Sequence, residues 1–261
     1  MGVLNVTPDS FSDGGRFVSP EEAIAAADAM LAAGAALVDV GGESTRPGAA
    51  GVSADEELRR VVPVLEGLDG KPTSIDTSKA EVARRALALG VELVNDVTAL
   101  RADPALAGVV ADADAYVCLM HMQGEPRTMQ DAPRYVDVVD DVASFLEQRV
   151  AFAVGEGIPE ERICVDPGIG FGKTPDQNLE LVRRLDRILS IGLPVLVGLS
   201  RKSTLGRVLG DPQARRGTVA ASVGGAVAAF ARGATLFRVH DVREHVEALA
   251  VAAAVERGRV A

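Results

Sequence analysis

Short β-branched runs that end in polar residues alternate with Ala- and Leu-rich stretches along the whole chain. Runs at 2–6, 36–41, 72–77, 92–97, 115–121, 162–167, 194–200 and 234–240 predict eight strands. Stretches at 20–33, 54–67, 79–89, 104–112, 137–155, 175–190, 216–232 and 242–258 predict eight helices between and after them. The punctuation agrees with this reading. Ser19-Pro20-Glu21-Glu22 is an N-cap, a proline at the first helical position and two first-turn acids. Ser53 stands three residues before Glu56, the spacing of a capping box. Gly34, Gly90, Gly157, Gly192 and Gly233 each fall where a helix should stop before the next strand.

The strands are apolar rather than strictly alternating, which suits a parallel sheet covered by helices. Eight units in 261 residues predict an α/β fold, a (β/α)8 TIM barrel forming a single domain over 1–261. An open doubly wound sheet is the alternative, but it normally has fewer strands and a topological switch point. Residues 123–136 are a long polar loop after the fifth strand, the length of a lid or mobile segment. The chain starts almost at its first strand, so Met1 reads as an internal or trimmed start with nothing before it to cover the barrel floor.

Composition changes the picture mainly by exclusion. Hydrophobic residues at 48% and charged residues at 25% describe a globular chain and exclude intrinsic disorder. Aromatics are 3% with no Trp, which argues against a nucleic-acid reader built on stacked rings. A net charge of −10 argues against DNA or an anionic membrane as main partner. A few local cations in a cleft can still hold a small anion. Cys118 and Cys164 sit in apolar runs and read as buried free thiols rather than a disulfide or metal site. No 18-residue apolar run lacks charge and no signal peptide precedes the first strand, so a cytoplasmic protein is expected.

Barrel chemistry sits at the carboxyl ends of the strands. Here those ends carry Asn5, Asp39, Glu43, Asp76, Asn95, Asp96, His121, Asp166, Lys202, Arg238 and His240. Two carboxylates and an amide, Asp76, Asp166 and Asn95, suit the edge of a flat nitrogen-rich heterocycle, although Asp76 and Asn95 could equally cap the helices that follow. Arg238 and His240 are one residue apart on a strand and leave it on the same face. Such a pair wants an anion, or Arg238 pairs with a carboxylate inside the barrel. The glycines, hydroxyls and Arg46 of the segment 41–48 (GGESTRPG) complete what looks like a diphosphate site. Lys202 can form a Schiff base, donate to a carbonyl or stand in solvent. Residues 167–174 (PGIGFGKT) only imitate a phosphate-binding P-loop, because Pro167 occupies the place of its first glycine. No Cys/His cluster has metal spacing.

Taken together, GVLNVTPDSFSDGG at 2–15, VDVGGESTRPGA, SIDTSKAEVARRAL, LVNDV, LMHMQGEPRTMQ, DPGIGFGKT, LVGLSRKS and FRVHDVREHVEAL at 237–249 are similar, in order and nearly end to end, to the dihydropteroate synthase family of pterin-binding barrels. Thr204 is one departure, standing where many relatives carry a bulky apolar residue after SRKS. The resemblance implies condensation of p-aminobenzoate with 6-hydroxymethyl-7,8-dihydropterin diphosphate to 7,8-dihydropteroate, with diphosphate leaving. It places Asp76, Asn95, Met120, Asp166 and Lys202 on the pterin, and Thr45, Arg46, Arg238 and His240 on the diphosphate. Phe11, Asp13, Pro47, Phe171, Lys202 and Ser203 fall at the p-aminobenzoate slot, and Asn5 at Mg2+. Catalysis is then expected from Lys202, Arg238, His240, Asp76 and Asp166, in a homodimer that is a sulfonamide target. The chemistry fits, because a diphosphate that departs before the amine arrives needs its charge stabilised and requires no protein nucleophile.

Three rivals stand beside this reading. A corrinoid-linked methyltetrahydrofolate methyltransferase shares the carboxylate and Asn pattern but has no need of TPDSFSDGG or SRKS. A Schiff-base aldolase would use Lys202. A non-catalytic pterin-binding paralogue should have lost part of the loops or cations, which this chain keeps. Residues 7–16 and 43–51 are too polar and Gly-rich to be held by a core, so ordered binding with the pterin diphosphate first is expected.

Overall fold

The computed structural model describes residues 1–7, 19–45, 48–125 and 127–259. Among these residues eight short parallel strands alternate with helices. In chain order they are β1 (Gly2–Asn5), α1 (Pro20–Ala32), β2 (Val38–Gly41), α2 (Ala54–Gly67), β3 (Thr73–Asp76), α3 (Ala80–Ala88), β4 (Leu93–Asp96), α4 (Leu106–Asp112), β5 (Tyr116–Met120), α5 (Val138–Gly155), β6 (Ile163–Asp166), α6 (Pro175–Arg183), α7 (Leu185–Leu189), β7 (Leu196–Val197), α8 (Ser203–Val208), α9 (Val219–Phe230), β8 (Leu236–Phe237) and α10 (Val242–Arg257).

The ladder runs β1-β2-β3-β4-β5-β6 and then β7-β8. Single bridges at Val165–Val195 and Gly2–Val239 join the two pieces, so the sheet closes into a barrel. The outward side chains of the strands, among them Leu4, Val40, Ile75, Val94, Leu119 and Val165, form one core with the helices. The inside begins as a small apolar floor of Cys118, Cys164 and Leu196, against which Met1 and Leu93 pack. Both cysteines are buried and free.

The caps behave as their residue types require. Ser19 and Glu22 form a reciprocal capping box ahead of Pro20. At Ser53 the forward bond appears, Glu56 N–H donating to Oγ at 3.2 Å. The five helix-ending glycines all have φ between +90° and +99°. Two expectations shift. The helix expected over 175–190 breaks at Arg184 into α6 and α7, and residues 203–208 form the extra helix α8.

Candidate active site at the barrel mouth

Register brings the polar strand ends into layers. Asn5, Gly41, Asp76 and Asn95 are successive register partners across β1 to β4, so their side chains turn to one side of the sheet. Met120 and Asp166 pair likewise at the ends of β5 and β6. The floor of this polar layer is Asp39, fully buried. It accepts hydrogen bonds from Ser74 Oγ at 2.6 Å, Asn95 Nδ2 at 3.2 Å and Arg238 Nε at 2.6 Å. Arg238 Nη2 donates to Asp76 Oδ2 at 2.7 Å. One guanidinium therefore serves two buried carboxylates. Burial pushes the Asp76 pKa up to about 7, with Arg238 opposing the shift and Asp39 adding to it. Burial also works against the Arg238 charge, yet Asp39 and Asp76 hold its pKa above the ordinary value. The alternative reading of Arg238, a pair with carboxylates inside the barrel, is thus present, and Arg238 still lines the mouth.

The mouth holds a recess of about 380 Å³, counting its open side. Asn95, Met120, Asp166, Phe171, Lys202, Arg238 and His240 all line it. Residues drawn from strands far apart in sequence thus converge, with a methionine shelf below. Met120 packs with Val97, Met122 and Met129, and Phe171 closes the cluster. A wider groove between α2 and α3 is lined by Leu58, Val62, Pro63 and Ala88 with charged residues at its rim. It lies on the outer wall, away from every strand end, and lacks convergent polar groups.

Asp166 accepts from the Gly168 N–H at 2.7 Å, and burial raises its pKa while Lys202 opposes the rise. Lys202 Nζ donates to the Ile169 carbonyl and lies 4.5 Å from the Phe171 ring centroid. Burial lowers its pKa to about 8, with Asp166 pulling the other way. His240 meets Ser200 twice, through its backbone N–H and through Nδ1, both at 3.1 Å from Oγ.

The capping alternative for Asp76 and Asn95 does not hold. Lys79 is the N-cap of α3 and makes no side-chain cap bond, while Asp103 accepts from the Ala80 N–H at 2.8 Å. The capping turn after β4 belongs to Asp96, which accepts from the N–H groups of Thr98 and Leu100 at 2.8 and 2.6 Å. Asn5 is half-buried at the end of β1, Thr45 is half-buried in the loop after β2, and Ser203 is half-buried at the start of α8. Phe11, Asp13, Arg46 and Pro47 lie outside the described residues.

The described residues show how two of the loops are attached. The segment 43–51 is held at its root. Glu43 accepts from Lys79 Nζ and, at 3.2 Å, from the Val52 N–H, and Lys79 also donates to buried Glu57 at 2.6 Å. The described part of the 123–136 loop is docked, because Met129 is buried, Gln130 Nε2 donates to Gly170 O at 2.8 Å and Tyr135 Oη donates to Gly172 O at 2.7 Å. Sequence reasoning also missed Lys173 and Asn178, both buried. Asn178 Nδ2 donates to Thr204 Oγ1 at 3.0 Å while its Oδ1 accepts from Gly170 N–H at 2.7 Å. The departure at Thr204 therefore ties α8 to the loop after β6. The signal for Lys173 was its place in PGIGFGK, set aside when that stretch failed as a P-loop.

Residues 1–240 match the family described as pterin binding enzyme. Dihydropteroate synthase of Escherichia coli is 46% identical over 254 residues, which span 96% of this chain and 89% of that protein. The structure of Yersinia pestis dihydropteroate synthase with a sulfonamide drug complex superimposes with a TM-score of 0.91 at 46% identity, covering 98% of this chain and 93% of that one. Xanthomonas albilineans dihydropteroate synthase with 4-aminobenzoic acid gives 0.89 at 48% identity, covering 98% and 92%.

Proposed function

The chain belongs to the pterin-binding enzyme family and, within it, to the dihydropteroate synthases, and we infer from its mouth how it performs that reaction. The C–O bond between the pterin methylene and diphosphate breaks, and a C–N bond to the arylamine of p-aminobenzoate forms in its place. The product is 7,8-dihydropteroate, and diphosphate leaves with the bonding pair. The observation that carries this reading is the convergence of Asn95, Met120, Asp166, Phe171, Lys202 and Arg238 on one recess.

Asp166, Asp76 and Asn95 bind the hydrogen-bonding edge of the pterin, with Met120 beneath its ring. Their anionic charge also favours positive charge developing on the pterin as diphosphate departs. Lys202 donates to the pterin once it releases the Ile169 carbonyl. Arg238 and His240, with Thr45 and Arg46, take the departing diphosphate. Phe171, Ser203, Pro47, Phe11 and Asp13 form the p-aminobenzoate side.

The residues at the end of β1 suit Mg2+. Gly41 stands between Asn5 and Asp76, and a Cβ there would fill the gap, 3.8 Å from Asn5 Oδ1 and 3.4 Å from Asp76 Cβ. Mg2+ keeps several waters and takes few protein oxygens when phosphate supplies the rest. Asn5 would hold the ion, which would supply charge neutralisation to the leaving diphosphate. No group of three or more His, Cys, Asp or Glu among the described residues offers an all-protein site.

The reading extends to a cytoplasmic homodimer working as one domain. Its support is the exposed Val219 on α9 and Val251 and Val255 on α10, and two cysteines that remain free. Among the described residues no helix is long and apolar enough to cross a membrane. The deciding experiment mixes both substrates with Mg2+ and measures dihydropteroate. Stoichiometric product and diphosphate are expected, and absence of product would overturn the reading.

A further inference from the structure

Five consecutive carbonyls, from Gly168 to Gly172, each accept a side-chain hydrogen bond. Lys173 Nζ donates to Gly168 O at 2.9 Å and Phe171 O at 3.0 Å. Lys202 takes Ile169 O, Gln130 takes Gly170 O and Tyr135 takes Gly172 O. The segment is neither helix nor strand, and it turns through positive φ at Gly168, Gly170 and Gly172. A Cβ at Gly168 would stand 1.8 Å from His121 O, so the loop lies directly on the end of β5. With no ladder to shape it, the loop takes its form from these side chains, from Asp166 and Asn178 on its N–H groups, and from one turn bond, Phe171 N–H to Gly168 O at 3.0 Å.

Lys173 supplies two of the five bonds, is 2% exposed and does not line the recess. Its other contacts are His121 Nδ1 at 2.9 Å and, longer, the His121 carbonyl at 3.4 Å. An ammonium has three N–H for its nearest acceptors, Gly168 O, Phe171 O and Nδ1; an uncharged amine donates to the two carbonyls and accepts from an Nδ1–H tautomer. Either form satisfies the group. Burial pushes its pKa well below that of an ordinary lysine, with Asp166 opposing.

We propose that Lys173 is a positioning residue for the p-aminobenzoate slot, shaping the Gly168–Gly172 loop so that the Phe171 ring is held beside Lys202. The assignment rests on the reading of the mouth given above. Asp166, Asn95 and Met120 stand on strands with their own ladders, whereas Phe171 stands on the loop and, beyond it, has only its packing on the methionine cluster. Loss of Lys173 therefore separates the two substrates. A lysine suits the task because one nitrogen on a long stem reaches two carbonyls three residues apart from beneath.

The test compares Lys173→Met and Lys173→Gln with the wild-type enzyme, measuring KM for each substrate, thermal midpoint and amide exchange. In Lys173→Met, KM for p-aminobenzoate should rise about tenfold or more while KM for the pterin diphosphate stays within about threefold. Exchange at 168–172 should accelerate without change in the strands, and Lys173→Gln should recover part of both effects. A purely structural role would lower the midpoint and the active fraction but leave KM unmoved. An unchanged p-aminobenzoate KM beside normal wild-type turnover would sink the assignment alone, as would failure of both variants to fold. Absent wild-type turnover would instead sink the reading of the mouth.

Discussion

Arg238 and Asp39, 199 residues apart in sequence, meet inside the barrel with Nε 2.6 Å from Oδ2. Asp76 is the second carboxylate on the same guanidinium. Removing the cation leaves two buried acids with no opposite charge beside them, although Ser74 and Asn95 still donate to Asp39. Arg238→Ala should therefore lose about 3–5 kcal/mol of stability in chemical denaturation, quite apart from any loss of diphosphate binding. A loss below about 1 kcal/mol would show that the carboxylates are satisfied without Arg238.

The pH dependence of pterin binding should be narrow. The raised Asp76 pKa means that the empty site favours the protonated acid, so its contribution to folding is present at low pH and is lost as pH rises through about 7. Pterin binding needs the anion and runs the other way, weakening as pH falls below about 7. Lys202 loses its proton as pH rises through about 8, which weakens donation to the pterin on that side. Calorimetry across this range should find the tightest binding between the two values. A flat profile would remove both groups from ring recognition.

Lys202 should act as a donor rather than a covalent catalyst. Lys202→Ala should reduce turnover about 10²–10³-fold, the size typical of a lost charge-stabilising donor, and Lys202→Arg should retain more. Borohydride treatment with substrate should leave no adduct. A trapped adduct on Lys202 would revive the aldolase reading, to which a lowered lysine pKa is also suited.

Lys79 should prove to be the anchor of the loop that carries Thr45. Glu57 is fully buried and one of its oxygens, Oε1, has no hydrogen-bond partner. Lys79→Met should destabilise the fold by about 3–5 kcal/mol, and Glu57→Gln in that background should restore part of it. Additive losses in thermal or denaturant unfolding would refute the coupling.

The alternation of apolar runs and helical stretches made the barrel legible, because each strand end falls where a run turns polar. What periodicity does not carry is which strand ends meet. Asp39 stood among the polar ends without a role, since its link to Arg238 spans most of the chain. Arg184 carried no breaker signal, so the division of α6 from α7 was not visible. Lys173 was missed for a different reason: PGIGFGK was set aside once it failed as a P-loop, and its partners, two loop carbonyls and His121 Nδ1, are not announced by any residue spacing. Phe11, Asp13, Arg46 and Pro47 keep their roles as proposals from resemblance.

The closure of the barrel has a mechanical side. The ladder is thinnest at two seams, where β6 meets β7 and β8 meets β1 through single bridges. Arg238 springs from the end of β8 and crosses one of those seams to β2 and β3, a strut where the hoop has fewest fastenings. A bound diphosphate that draws on the same guanidinium shares the strut with the wall. Occupancy and stiffness should then be one variable, so that the vessel holding the reaction tightens or slackens with its own contents.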